Sequence, residues 1–168
     1  MAHSDLSELT LRPAQPQDVS LILQFIRELA DYEKLRHEAI ATEVLLHRHL
    51  FSATPSADVV IAEWAQWPAG FALYFRTFST FLGKPGLYLE DLYVRPEFRS
   101  RGIGRSLLVY LAQLAVARDY GRLEWSVLNW NQPAIGFYQG LGAKPLDEWR
   151  GYRLTGAALT QLAEEKSA

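Results

Sequence analysis

Apolar positions along this chain recur with two periods, and the switches between them mark its elements. In residues 18–32, Leu21, Ile22, Phe25, Ile26 and Leu29 recur at three- and four-residue steps, which lines one face of a helix. Residues 42–50 predict a second, shorter helix with His47 and His49 on its polar side. Residues 8–12 read as a short first strand. Residues 58–65 and 69–78, rich in β-branched and aromatic side chains, read as a hairpin that turns at Gln66-Trp67-Pro68. A further turn at Gly83-Lys84-Pro85-Gly86 leads into a central strand over 87–94, closed by Pro96. Residues 103–120 form the longest predicted helix, with Ile103, Leu107, Leu111, Leu114 and Ala115 on one face and Gly121 as its C-cap glycine. Residues 123–128 predict another strand. Asn131 is placed to cap a short helix that carries Pro133 in its first turn and ends near Gly140-Leu141-Gly142. Residues 144–149 and 152–155 predict a terminal pair of strands, and residues 157–165 a last helix. A hairpin followed by strand, loop, helix and strand predicts an α/β fold, a mixed sheet with helices on both faces.

No linker or repeat interrupts this order. The expectation is a single domain over 1–168, with its core at about 8–162. Hydrophobic residues make up 49% and charged residues 21%, an ordinary globular balance. The formal net charge of −2 offers no bulk basic field and argues against nucleic acid as a partner. There is no cysteine, which excludes disulfides, thiolate nucleophiles and thiolate-bound metals. The first eight residues are polar and lack a signal pattern, and no apolar run has membrane-spanning length. A soluble cytoplasmic protein without a membrane partner is expected. The four histidines have no metal-binding spacing: His47 and His49 do not share a helix face, and His3 sits in the terminal stretch. No metal is expected.

Chemistry concentrates after the central strand. Arg99-Ser100-Arg101-Gly102-Ile103-Gly104 is a glycine turn that opens the long helix. Such a turn exposes unpaired N–H groups at the positive end of the helix dipole, a ready anion site. Arg105 falls in the first helical turn, where the dipole disfavours a cation. A bound anion would offset that cost. The phosphate loop of nucleotide-binding proteins does not fit, because one residue rather than four separates Gly102 from Gly104. The dinucleotide fingerprint also fails, since its third glycine position holds Leu107.

Within the central strand, Glu90 and Asp91 interrupt an apolar alternation. In regular geometry Leu87, Leu89, Asp91 and Tyr93 share one side, and Tyr88, Glu90, Leu92 and Val94 the other. Each carboxylate then sits among apolar neighbours, which is costly unless it is paired. Two readings stay open: a salt-bridged pair at a strand bulge, or groups that bind and deprotonate an amine. By residue type alone, Tyr138 reads first as an aromatic packing residue. Tyr32 and Glu33 likewise read first as a solvated helix end.

Arg99-x-x-Gly102-x-Gly104, after its strand, resembles the acetyl-coenzyme A loop of the GNAT superfamily of N-acetyltransferases. Leu89-Glu90-Asp91-Leu92-Tyr93-Val94, Asn129 through Tyr138, and Gly142-Ala143 fall at that family's spacing. Leu11-Arg12-Pro13-Ala14 and Glu28-Leu29-Ala30-Asp31-Tyr32-Glu33 resemble its diamine (spermidine/spermine) and thialysine branch. The resemblance implies a GNAT-like, mostly antiparallel mixed sheet, acetyl-CoA as co-substrate, a homodimer, and a small amine as acceptor. It also implies a strand bulge, after which the Leu92 and Val94 amides, beside Tyr93, hold the pantetheine arm. Ser100, Arg101, Gly102, Ile103, Gly104 and Arg105, led by Arg99, would cradle the pyrophosphate. Asn131, Gln132, Pro133 and Ala134 would line the coenzyme path. Tyr138 would protonate the departing thiolate, and a phenol suits that task.

The same resemblance makes Glu90 the group that binds or deprotonates the acceptor, and places Tyr32, Glu33 and Asp91 in an acidic acceptor cleft. Glu124, where the branch usually has histidine, and its neighbours Trp125 and Ser126 join the acceptor side. Arg150 stands where the branch has an acid beside its glycine, and Phe81 where it often has tryptophan. An arginine there disfavours a long polycation and favours an acceptor bearing a carboxylate. Two other functions remain in view: transfer to a protein amine, and a coenzyme A-binding regulatory module without turnover.

Overall fold

The computed structural model describes residues 6–165; His3 lies outside the described residues. The chain forms two compact units that meet in sequence after Leu128, and each is described by itself.

The first unit is built on a five-stranded sheet in the order β1-β2-β3-β4-β5. Its strands are β1 (Leu9–Pro13), β2 (Asp58–Trp64), β3 (Trp67–Ser79), β4 (Lys84–Val94) and β5 (Leu123–Trp125). The first four pair antiparallel, and β5 pairs parallel with β4. The fold is therefore the mixed, mostly antiparallel sheet expected. Helix α1 (Val19–Tyr32) lays Ile22, Phe25 and Leu29 onto Val59, Ile61, Phe71 and Tyr93. Phe25 stacks on Phe71 with ring centres 5.3 Å apart. Each fully buried side chain of this size contributes about 1.5–3 kcal/mol. Helix α2 (Glu43–Leu50) starts at Thr42, whose hydroxyl accepts the Leu45 N–H at 3.3 Å. Helix α3 (Ile103–Ala117) buries Ile103, Leu107, Leu108, Leu111 and Ala115, and its Tyr110 lies near enough to Tyr74 of β3 for the two hydroxyls to influence each other.

Two arginines fix the entry to α1 and its lie on the sheet. Arg12 grips Asp18 with two bonds of 2.7 and 2.9 Å and also reaches Glu63 at 2.9 Å. These bonds hold the Asp18 carboxyl below the usual carboxylate range, against the cost of its burial. Arg95, at the end of β4, grips Glu28 of α1 at 2.9 and 3.0 Å and lies over the Phe25 ring.

Several boundaries differ from the sequence reading. The first hairpin turns on Ala65 and Gln66, both left-handed (φ 48° and 69°), so Trp67 and Pro68 already belong to β3. A two-residue turn of that hand matches the strand twist better than a turn centred on Trp67. Lys84, Pro85 and Gly86 pair with Ser79, Phe78 and Thr77 rather than forming a turn. Helix α3 stops at Ala117, and its left-handed cap is Asp119 (φ 55°), not Gly121. Tyr120 N–H closes onto Ala115 O at 2.8 Å, completing a cap that aspartate tolerates. Gly121 serves a different need, because a Cβ there would come within 2.8 Å of Leu82. Strand β5 ends at Trp125, since its pairing with β4 stops at Leu89.

In the second unit, α4 (Gln132–Gly140) is capped by Asn131, whose side chain accepts the Ala134 N–H at 3.4 Å, with Pro133 in the first turn. It ends in a glycine cap: Gly142 (φ 86°) bonds to Gln139 O and Ala143 to Tyr138 O. Helix α5 spans Gly156–Glu164. The terminal strand pair is not formed. Residues 146–149 close a turn through Trp149 N–H to Leu146 O at 3.1 Å, and Pro145 has no N–H to give a ladder. An apolar pattern gives strand propensity but not the partner backbone a strand requires.

Candidate active site

The decisive local feature is a bulge. Leu73 of β3 faces Asp91, but Tyr74 faces Leu89, so Glu90 is an extra residue on β4. The extra residue reverses the alternation of sides. Leu89 shares the side of Tyr74 and Tyr110, whereas Asp91 and Tyr93 share the α1 side with Leu73 and Phe71. The regular alternation grouped Asp91 and Tyr93 with Leu87 and Leu89, and the bulge corrects it.

The bulge also concentrates charge. Burial first, then the Glu90 charge, then the Glu33 charge push the Asp91 carboxyl up to about 7. Its carboxyl is enclosed by protein, although the residue as a whole keeps part of its area exposed. Burial alone raises the Glu33 carboxyl, just beyond the end of α1. Among the described residues none of the three is ion-paired, which removes the salt-bridge reading of Glu90 and Asp91. Three adjacent carboxylates without a cation form a site whose repulsion an incoming ammonium would relieve.

At the end of the same strand the sign reverses. Ser100 and Gly102 are left-handed (φ 61° and 83°), and α3 starts at Gly102 without a side-chain cap. The N–H groups of Ile103, Gly104 and Arg105 are therefore those a helix leaves to an outside acceptor. A Cβ built on Gly104 would meet only Val94 at 3.9 Å, so the approach to this turn is open. The Arg101 guanidinium lies over Trp64 at 5.1 Å and Phe98 at 5.8 Å, and Arg105 is exposed. Neither has a carboxylate partner among the described residues. Beyond Leu89, the β4 edge on the β5 side has no ladder partner among the described residues, and Leu92 and Val94 lie on that stretch.

Three further candidates lie on or just after β5. Glu124 is held by Arg122 at 2.6 Å, Trp125 lies opposite Leu89, and Ser126 shares a 2.7 Å hydrogen bond with the Tyr88 hydroxyl. In the second unit, Tyr138 sits on α4 beside Phe137, ring centres 5.4 Å apart, and Arg150 is exposed beyond the helix. Sequence reasoning missed where Arg99 points: its Nε donates to Val94 O at 2.9 Å, and its guanidinium covers the Tyr32 ring at 4.9 Å and the Tyr93 ring at 5.8 Å. It also missed Arg95–Glu28, for which the only sequence signal is a lone arginine at a strand end.

The sequence model of the acetyltransferase (GNAT) family matches residues 23–143. The chain belongs to that family. Thialysine N-epsilon-acetyltransferase of Bos taurus is 37% identical over 91% of this chain and 96% of its own length. L-Ornithine N5-acetyltransferase of Arabidopsis thaliana is 33% identical over 90% of this chain and 86% of its own. An integron cassette protein from the mobile metagenome of V. cholerae superposes with a TM-score of 0.81 at 27% identity, covering 94% of this chain and 99% of that one. This GNAT protein is thus an acyltransferase, of a family whose members use acetyl-CoA. The open first turn of α3, its left-handed entry and the unpaired β4 edge fit a diphosphate with an extended arm. Among the described residues no group of His, Asp and Glu could hold a metal, and no helix is long and apolar enough to cross a membrane.

Proposed function

We propose that this GNAT acetyltransferase moves the acetyl group of acetyl-CoA to a primary amine of a small molecule, a diamine, polyamine or lysine-like compound, by direct attack in a ternary complex. The observation that carries the reading is the bulge at Glu90, which sets two uncompensated carboxylates, Glu90 and Asp91, within reach of the Glu33 charge at the end of α1, on the strand that leads to an anion-binding loop. The relatives named for thialysine and ornithine acetylation support an acceptor of this class. Acetyl-CoA supplies the thioester. Residues 100–105 hold its pyrophosphate, and the free β4 edge at Leu92 and Val94 holds its arm. Glu33, Glu90 and Asp91 draw the ammonium group in, and Glu90 takes its proton, directly or through water. The freed nitrogen attacks the carbonyl carbon, the carbon–sulfur bond breaks, the thiolate takes a proton from Tyr138, and the second proton that the nitrogen sheds passes through water to restore the Tyr138 phenol. Holding both reactants in one complex supplies the proximity that direct transfer requires. Tyr138 as the acid, and Arg150 as a group favouring acceptors with a carboxylate, enter from the family resemblance.

The test is thiol release from acetyl-CoA with thialysine, ornithine, lysine, putrescine, spermidine and spermine in turn. The chain has no cysteine, so the protein adds no thiol signal. Turnover with thialysine or ornithine but not spermidine supports the reading together with the role of Arg150. Turnover with spermidine keeps the reading and removes that role. No turnover with any of them, while acetyl-CoA binds, overturns it in favour of a protein amine or a silent binding module. Tyr138→Phe is expected to keep acetyl-CoA binding and to lose about 10²-fold or more in turnover; unchanged turnover removes Tyr138 from the reaction.

A further inference from the structure

Arg99 opens the glycine motif, yet its side chain turns away from the helix start. Its Nε is fixed to Val94 O at 2.9 Å, which anchors the guanidinium at the end of β4. One neighbour of the plane is Tyr93, in the α1-side core; the other is Tyr32, the last residue of α1, at 4.9 Å. The next residue along α1 is Glu33, whose charge bears on Asp91. On its other side, Arg99 is followed by Ser100 in the left-handed region, the first residue of the anion loop. One side chain therefore ties the loop backbone, the end of β4 and the terminus of the acceptor-side helix.

We propose that Arg99 is a positioning residue that couples the anion loop to the acceptor side, so that coenzyme bound at residues 100–105 tightens amine binding at Glu33, Glu90 and Asp91. The inference rests on the functional reading above. Its physical basis is the stiffness of the connection. A planar guanidinium held by a hydrogen bond at Nε and stacked on two aromatic rings transmits a shift of the loop to Tyr32, where a lysine ammonium would swivel. Coupling between two sites is reciprocal, so the amine must tighten coenzyme binding by the same factor.

Calorimetry on the full chain measures it, with thialysine titrated into protein with and without saturating coenzyme A. Coenzyme A is expected to tighten thialysine binding at least about 5-fold in the parent protein. Arg99→Gln and Arg99→Lys are expected to bring that factor below about 2-fold. Tyr32→Phe, which keeps the ring, should retain the coupling, and Tyr32→Leu should lose it. The Tyr32 pair decides the matter if Arg99 variants do not fold. An uncoupled parent protein, or Arg99→Gln and Tyr32→Leu that stay coupled, overturns the proposal. Thiol release separates the two failures. A parent protein that turns over no amine defeats the functional reading, whereas turnover with coupling intact in both variants defeats only the role of Arg99.

Discussion

The middle and the end of β4 are built from the same strand and carry opposite charge. In the middle, Glu90 and Asp91 join Glu33 with no cation among the described residues to neutralise them. At the end, Arg101 and Arg105 flank an uncapped helix start. Between these regions Arg95 is an ordinary structural cation, whose Nε and Nη2 donate to the two carboxylate oxygens of Glu28. The difference teaches where charge serves the fold and where it is held ready for something else. Paired charges lock elements together; unpaired ones of one sign, gathered in one place, raise the energy of the empty site and lower it again when a counter-charge arrives.

Three changes break or sharpen this contrast. Gly102→Val should do most. A β-branched residue at φ 83° costs about 1–2 kcal/mol and fills the anion approach, so acetyl-CoA should bind about 10-fold weaker or worse. Calorimetry would show this, and the thialysine affinity of the coenzyme-free protein should stay where it was. Asp91→Asn should act on the other region alone. In the parent protein, kcat/KM for thialysine should rise as pH passes about 7, and the variant should lack that inflection. Stability gives the same sign. A carboxyl raised from 3.8 to about 7 favours the fold while protonated, and that contribution is lost as pH rises through about 7. Melting curves should therefore show Asp91→Asn gaining on the parent at pH 8 and converging with it near pH 4. Glu28→Gln should have the smallest effect on chemistry, because it weakens a structural clamp and removes no group assigned to substrate or coenzyme. A loss of about 1–2 kcal/mol, seen as a lower Tm, is expected. The pH midpoint should not move.

The loop was legible because its signals are local. Two glycines one residue apart, a strand before and an apolar helical stripe after are all printed within twenty-odd residues of sequence. The two carboxylates were legible as a disturbance, since neither fits the apolar alternation. Their shared side was not, because the parity of β4 depends on its register with β3. Arg99 was legible as a motif residue, while its stacking on Tyr32 depends on a contact across 67 positions. The end of α3 misled for a simpler reason. A glycine near a helix end attracts the capping role, but Asp119 filled that role and Gly121 was needed for the approach of Leu82. Residues 144–155 carried a strand-like pattern, and a pattern cannot supply the neighbouring backbone.

The bulge at Glu90 constrains how this site can change over generations. Removing Glu90 would leave Leu89 opposite Tyr74 and Asp91 opposite Leu73 in an unbroken ladder, with every other side chain on its present side. Inserting a residue without widening the bulge would instead swap one flank: Leu87 and Leu89, both almost fully buried, would trade places with Tyr88, or Asp91 and Tyr93 with Leu92. The site can therefore change by exchanging side chains at positions 90 and 91, or lose its extra carboxylate by a deletion the sheet absorbs, whereas an added residue would be rejected as a folding defect before any substrate could test it.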